Sequence, residues 1–165
     1  KKLAKLYNCD TFIETGTYNG KTLASVESYF KLKMSVELYE SLYKSNISKF
    51  ESSKNVILFF GDSAKQMKIM VEKIQGRCLF WLDGHYSGEG TGKAEKECPV
   101  YEELKAISVN SRKDHIILID DAREFGTNPD YPKLDEVEQL LYKINDNYKI
   151  YIDYDCIIAV PNTTI

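Results

Sequence analysis

Residues 14–22 read "ETGTYNGKT" and follow the short apolar run "TFI" at 11–13. A glycine-rich turn directly after a strand is a common seat for a phosphate or a nucleotide. The stretch falls one residue short of a P-loop, G-x-x-x-x-G-K-[ST], because only Thr17, Tyr18 and Asn19 separate Gly16 from Gly20. So short a loop should not wrap its amides around a β-phosphate, and Glu14 would face the phosphates unfavourably. A dinucleotide turn, G-x-G-x-x-G, needs a glycine where Tyr18 stands. The third reading is E-x-G-x-x-x-G, a tight turn beside a nucleoside that carries no phosphate.

Outward from this turn, strand-like and helix-like segments alternate. "TFIET" (11–15) is a strand, and residues 20–31 make a helix with Leu23, Val26 and Phe30 on one face. "MSVE" (34–37) is the second strand, followed by a helix over 39–50 with Leu42, Ile47 and Phe50 apolar. "NVILFF" (55–60) is a nearly continuous apolar run, which predicts a strand buried on both faces. A helix capped by Asp62 or Ser63 comes next, then the strand "CLFWLD" (78–83) and a glycine-rich loop. "CPVYEELKAI" (98–107) restarts a helix with Pro99 in its first turn, "HIILIDD" (115–121) is the fifth strand, and a helix lies near 133–145. "YKIYIDY" (148–154) and "CIIAV" (156–160) have almost no linker, which permits only an antiparallel hairpin. The pattern predicts a single α/β domain over residues 1–165, a parallel sheet covered on both faces.

In such sheets ligands bind beyond the carboxyl ends of the strands. Five successive strands end on or just before an acid: Glu14, Glu37, Asp62, Asp83 and Asp120. Each alone reads as a helix cap; five together would repel one another unless something cationic or hydrogen-bonding sits among them. A sulfonium, ribose hydroxyls or a metal would serve. For a nucleoside, Gly16, Thr17 and Gly20 form the turn, and Glu14 meets a cationic amino-acid group directly or through water. Glu37, 23 residues on, takes two ribose hydroxyls. Asp62 and Ser63 reach an adenine amino group, and Asp83 lies where the reacting group would be delivered.

The ordered set "FIETGTYNG", "SVELYE", "FFGDSAKQM", "FWLDG" and "IILIDDA", closed by "YKIYIDYDCIIAV", resembles the class I S-adenosylmethionine-dependent methyltransferases over nearly the whole chain. The resemblance implies a three-layer Rossmann-like sheet of order 3-2-1-4-5-7-6 with the last strand antiparallel. It also implies S-adenosylmethionine as cosubstrate over the first two strand ends, and methyl transfer as the activity. Asp83 and His85 stand together in "LDGHYSG", where His85 suits a general base near neutral pH. Asp83, Asp120 and Asp121 could instead hold Mg²⁺, as in the similar metal-dependent O-methyltransferases. His115, at the opposite edge, reads as structural. Trp81 reads as core. Arg123 and Lys93 are candidates for contacting an acidic acceptor.

Net charge is -3 with 22 scattered basic residues, so no broad grip on nucleic acid is expected. "DGHY" replaces the [DN]-P-P-[YF] motif common in nucleic-acid amino-methyltransferases. The expected acceptor is a small molecule or a glycan, methylated at a hydroxyl; a weak likeness to bacterial glycan-cluster methyltransferases points the same way. No C-x-x-C pair suggests zinc, and Cys78 and Cys156 read as buried, reduced thiols, which fits a cytoplasmic protein. No apolar stretch approaches the ~20 residues of a membrane span, and no signal peptide is visible. The chain starts at Lys1 rather than a methionine, which leaves room for a preceding segment. Nothing in the sequence sets an oligomeric state. Two rival readings remain open: a P-loop-like ATP-dependent phosphotransferase and a non-catalytic nucleoside-binding domain.

Overall fold

The strand that precedes the glycine turn lies in the middle of the sheet. In the computed structural model, which describes residues 1–84 and 98–162, β1 (Thr11–Thr15) is buried at every position. It runs parallel to β2 (Leu32–Glu37) on one side and β4 (Cys78–Leu82) on the other. β3 (Val56–Phe60) extends the sheet beyond β2, and β5 (Ile116–Ile119) lies parallel to β4. β7 (Cys156–Pro161) returns antiparallel to β5, and β6 (Tyr148–Asp153) closes the edge. The seven strands therefore follow the order 3-2-1-4-5-7-6. Tyr154 and Asp155 join β6 to β7 in two residues with φ 46° and 60°, the left-handed pair that a tight hairpin of right-twisted strands requires.

Side-chain alternation along the strands divides the interior into two cores. Ile13, Met34, Val36, Phe80, Leu82, Ile117, Ile119 and Ile157 face α4 (Ser63–Val71), α5 (Val100–Ser108) and α6 (Leu134–Ile144). Phe12, Leu79, Ile116, Ile158 and Val160 face α1 (Lys2–Leu6), α2 (Lys21–Ser25) and α3 (Glu40–Lys49). Each fully buried aliphatic or aromatic side chain contributes about 1.5–3 kcal/mol. The strand interiors thus supply the rigidity on which the loops at the strand ends rest.

Four local expectations change. β3 is an edge strand, with Ile57 and Phe60 39% and 47% exposed, so its apolar run is not buried on both faces. The helix expected over 20–31 is regular only to Ser25 and then continues as three-residue turns, Glu27 N–H to Ala24 and Tyr29 N–H to Val26. Val26 and Phe30 are still buried, and the buried ammonium of Lys33 donates to the Glu27 and Phe30 carbonyls that the broken helix leaves open. On α3 the buried residue is Asn46, while Ile47 is 45% exposed. Finally, α1 precedes the first strand without having been expected.

Candidate functional site

The glycine turn is shaped by what it packs against. Gly16 has φ 80°, and a Cβ there would lie 2.3 Å from the Asp83 carbonyl oxygen at the end of β4. Gly20 has φ 63°, and a Cβ there would meet Asn46 Oδ1 at 2.4 Å and Phe50 at 2.8 Å. Each glycine thus admits a close neighbour that any side chain would displace. The amides of the turn are also engaged. Gly16 and Thr17 donate to the Val36 carbonyl, Tyr18 to Glu37 and Gly20 to Thr17. Its carbonyls are held from α3, Tyr18 by Asn46 and both Asn19 and Gly20 by Lys49. A phosphate loop instead turns successive amides toward its ligand. Four of the amides such a ligand would need are already used, which argues against the P-loop reading.

Two acids stand beneath the turn. Glu37, the last residue of β2, accepts from Tyr18 N–H at Oε2 and from Tyr39 N–H at Oε1, both at 2.8 Å. Two backbone amides therefore fix the carboxylate in one orientation, and its remaining lone pairs stay available for further donors. Glu14 is only 1% exposed; Ser35 Oγ donates to it at 2.8 Å and lies 2.7 Å from Thr17 Oγ1. Burial pushes the Glu14 carboxyl up to about 8, the Ser35 hydrogen bond opposing it and the Asp83 charge adding to it. Glu14 thus reaches the turn through Ser35 and Thr17 rather than from an open surface.

A third acid lies under the same strand ends on the other sheet face. Asp62 caps α4, its Oδ1 accepting from Ala64 N–H at 2.9 Å, which identifies it rather than Ser63 as the cap. Asp83 N–H is held by the Thr15 carbonyl and hydroxyl, which ties β4 to β1 at the strand ends. Gly84 then sits so close that a Cβ would lie 3.1 Å from Ser63 Oγ and Thr15 Oγ1 and 3.2 Å from Glu103 Oε1. Glu103, on α5, is 1% exposed, and its Oε1 has no hydrogen-bond partner. Burial lifts its carboxyl to about 7, the Ser63 and Thr15 hydroxyls opposing this and the Asp62 and Asp83 charges reinforcing it. The arrangement is a strand-end edge crowded with carboxyl groups, two of them buried and biased toward the neutral form.

The three acids of the metal expectation follow the ends of β4 and β5. Leu82 and Ile119 are in register, so Asp83 and Asp120 follow neighbouring strand ends, yet no three His, Cys, Asp or Glu among the described residues form a metal-holding group. Asp121 takes φ 57° at the start of a 3-10 turn (Ala122–Glu124), and its Oδ1 lies 2.8 Å from Arg123. Arg123 also pairs with Asp155 and Glu124, so it joins this turn to the β6–β7 hairpin. Three carboxylates engage the guanidinium, whose side chain is 62% exposed. His85 and Lys93 lie outside the described residues.

Of the two residues read as structural, His115 keeps that role, while Trp81 is only partly buried. His115 is fully buried, accepts from Cys78 N–H at 3.1 Å through Nδ1, and places Nε2 3.3 Å from Asn110 Oδ1. The first bond makes Nδ1 the unprotonated nitrogen, and burial lowers the ring to about 4. Trp81 packs half-buried against the core of Phe12 and Leu79, beside a groove of about 500 Å³. All four cysteines are buried and free, as Cys78 and Cys156 were expected to be. Among the described residues no helix is long and apolar enough to cross a membrane.

Asn46, Lys49 and Glu103 were not singled out in the sequence. Glu103 left a trace: it lies among Val100, Leu104 and Ile107, an acid on the apolar stripe of its helix. Asn46 left none, because its importance comes from a carbonyl 28 residues away.

No protein-family model matches the chain, and no curated protein matches it. Solved structures do. The methyltransferase PaMTH1 of Podospora anserina, bound to SAH, is similar with TM-score 0.62 and 16% identity over 97% of this chain and 74% of that one. The methyltransferase domain of bacterial CtHen1-CN is similar with TM-score 0.58 and 12% identity, over 96% of this chain and 94% of that one. Spermidine synthase from Thermotoga maritima is similar with TM-score 0.59 and 11% identity, over 96% of this chain and 55% of that one. The seven-stranded order, the antiparallel β7 and these likenesses together give the chain the Rossmann-like fold of the class I S-adenosylmethionine-dependent methyltransferases.

Proposed function

We propose that the chain binds S-adenosylmethionine over the carboxyl ends of β1, β2 and β4 and transfers its methyl group to a hydroxyl of a small molecule or glycan. One observation carries the reading: four of the turn's amides are spent inside the protein, and carboxyl groups, Glu37 foremost, gather beneath it. Such a site suits a cationic nucleoside and repels a phosphate. The fold alone does not choose the transferred group, since spermidine synthase shares it. PaMTH1 was solved with SAH and a spermidine synthase with the transition-state analogue AdoDATO, which supports an adenosyl ligand here.

When bound, S-adenosylmethionine supplies a methyl carbon already activated by positive sulfur. The chain's part is to orient and to exclude water. Glu37, pinned by two amides, offers its remaining lone pairs to the ribose hydroxyls. Tyr39 and Phe60, exposed at the ends of β2 and β3, offer flat apolar faces for a base, with the Tyr43 ring centroid 5.3 Å from that of Phe60 at a tilt of 42°. Asp62 and Ser63 stand next to Phe60 and Gly61, within reach of the base edge. Gly16, Thr17 and Gly20 keep the turn low, and Glu14 supports Thr17 through Ser35. Asp83, with His85, is assigned to the acceptor, where a base removes the hydroxyl proton.

A crystal structure with S-adenosylhomocysteine tests this directly. The expected result is adenosine over the β1–β2 ends, with both ribose hydroxyls within ~3 Å of Glu37. A ligand seated elsewhere, or a ribose that ignores Glu37, would reject the assignment.

A further inference from the structure

The two edges of the sheet are built differently. β6 reads "YKIYID" and carries Lys149 and Asp153, charges of the kind that keep a sheet edge from pairing. β3, the other edge, reads "VILFF" and holds neither a charge nor a proline. Ile57 and Phe60 are exposed on it, and the flanking helices expose Ile47 on α3 and Ile69 on α4. The Tyr43 ring of α3 packs on Phe60, and Ile47 follows Tyr43 by one turn on the same stripe. Gln66 of α4 donates to the Phe60 carbonyl, one turn ahead of Ile69. Apolar side chains thus border this edge on both faces of the sheet.

The backbone of β3 narrows the choice of partner. Lys33 N–H donates to the Asn55 carbonyl and Gly61 N–H to the Glu37 carbonyl, so the odd-numbered residues here bond to β2. Val56, Leu58 and Phe60 therefore turn their amides and carbonyls outward. One donor and one acceptor among these are used: Val56 N–H donates to the Ser53 carbonyl at 3.2 Å, and the Phe60 carbonyl accepts from Gln66 at 3.1 Å. Among the described residues no strand lies beside the Val56 carbonyl, the two Leu58 groups and Phe60 N–H. Opposed residues of an antiparallel pair exchange N–H and C=O in both directions. Set against itself about Leu58, β3 places Val56 opposite Phe60 of a second copy. The donor and the acceptor already used are then each other's counterparts. The groups left over match without remainder: each Leu58 amide meets the opposite Leu58 carbonyl, and each Phe60 amide the opposite Val56 carbonyl.

Side chains agree with this register. Val56 opposes Phe60, Ile57 opposes Phe59, and Leu58 opposes itself. A β-branched residue facing an aromatic one is a favourable cross-strand pair. α3 packs on both β2 and β3, so a twofold axis at Leu58 sets it beside its counterpart two strand spacings away. That is roughly 10 Å, a distance at which helices pack. Glu40 and Lys44 of α3 pair with each other at 2.7 Å and bring no net charge to that contact.

We propose that β3 is a self-pairing edge: two copies of this chain join antiparallel through β3, centred on Leu58, and continue one sheet through both. The inference stands apart from the nucleoside reading. It gives the exposed Ile47 and Ile57 a common neighbour.

Sedimentation equilibrium from about 1 µM to 1 mM, the range of weak interfaces, tests the pairing. The mass is expected to rise from 19.0 kDa toward twice that. Over the same range, hydrogen exchange at the Leu58 and Phe60 amides should slow about tenfold or more, because an outward amide is protected only by a partner. Ile57→Lys sets an ammonium against Phe59 of the second copy. It should hold the chain at 19.0 kDa with its melting curve nearly unchanged, since Ile57 is 39% exposed. The wild-type exchange experiment needs no variant and decides the matter if Ile57→Lys does not fold. A single 19.0 kDa species at every concentration would overturn the proposal. So would a dimer whose Leu58 and Phe60 amides exchange as fast as in the monomer, or one that survives in folded Ile57→Lys. Protection of those amides in a 19.0 kDa species would give the edge to another occupant and overturn it too.

Discussion

The two ends of the sheet treat their polar groups differently. At the amino end, Arg77 pairs with Asp114 and the Tyr7 carbonyl, Arg112 holds Asp114 at 2.8 Å, and His115 is bonded at both nitrogens. Burial there raises Asp114, but hydrogen bonds from Arg77 and Arg112 outweigh it and hold the carboxyl below its ordinary range. At the carboxyl end, Glu14 and Glu103 are buried and pushed toward their neutral forms, and Glu103 keeps an oxygen without a partner. Gly16, Tyr18 and Gly20 hold positive φ in the turn above them. One end is finished as structure. The other carries costs that a ligand of the right charge would relieve.

Glycine substitutions break this contrast most severely. Gly16→Ala meets a backbone carbonyl at 2.3 Å and a left-handed φ, and neither yields. Urea denaturation should show a loss of about 3 kcal/mol or more. Gly76→Ala, at the amino end, meets only the Asp10 carboxylate, a side chain that can turn aside. It should cost about 1 kcal/mol or less.

One buried titratable group from each end sharpens the comparison through opposite pH signs. The His115 ring is lowered to about 4. Its contribution is complete above the unfolded value near 6.5 and is lost as pH falls toward 4, on the order of 3 kcal/mol. His115→Gln should flatten that part of the stability–pH curve. Glu103 is raised to about 7. Its penalty is absent below ~4.5 and grows as pH rises through 7, again on the order of 3 kcal/mol. Glu103→Gln should therefore match the wild type near pH 4.5 and exceed it at pH 8.

Smaller effects concern the ligand. Glu37→Ala should weaken S-adenosylhomocysteine binding about tenfold, or ~1.4 kcal/mol, by removing the ribose contact and releasing Tyr18. Asp114→Ala, at the other end, should leave that affinity unchanged although it lowers stability. Arg123→Ala should change neither the affinity nor the pH profile, because its partners belong to the hairpin junction.

Much of the architecture could be read from the chain because it depends on local rules. Alternating periodicity marked the strands, and the near absence of a linker before "CIIAV" required the antiparallel hairpin. The acids at successive strand ends were visible as a series. β3 misled because an apolar run looks alike whether a neighbouring strand covers it or not. α2 was read as longer than it is because its buried face continues through turns that Lys33 satisfies from the next strand. The glycines were recognised, but their reason was not: Gly16 answers to the Asp83 carbonyl and Gly20 to Asn46, contacts made across 67 and 26 residues of chain. The setting of Asp121 was hidden for a similar cause. Sequence places Asp121 beside Asp120, while the left-handed backbone at Asp121 gives its carboxylate to Arg123.

The central claim is that the carboxyl end selects an adenosyl ligand without phosphates. Calorimetric titration with S-adenosylhomocysteine and with ATP, each with and without Mg²⁺, tests it most directly. The account predicts micromolar binding of S-adenosylhomocysteine, indifferent to Mg²⁺, and no binding of ATP. Mg²⁺-dependent ATP binding with none of S-adenosylhomocysteine would contradict it and make "GTYNGKT" a shortened phosphate loop.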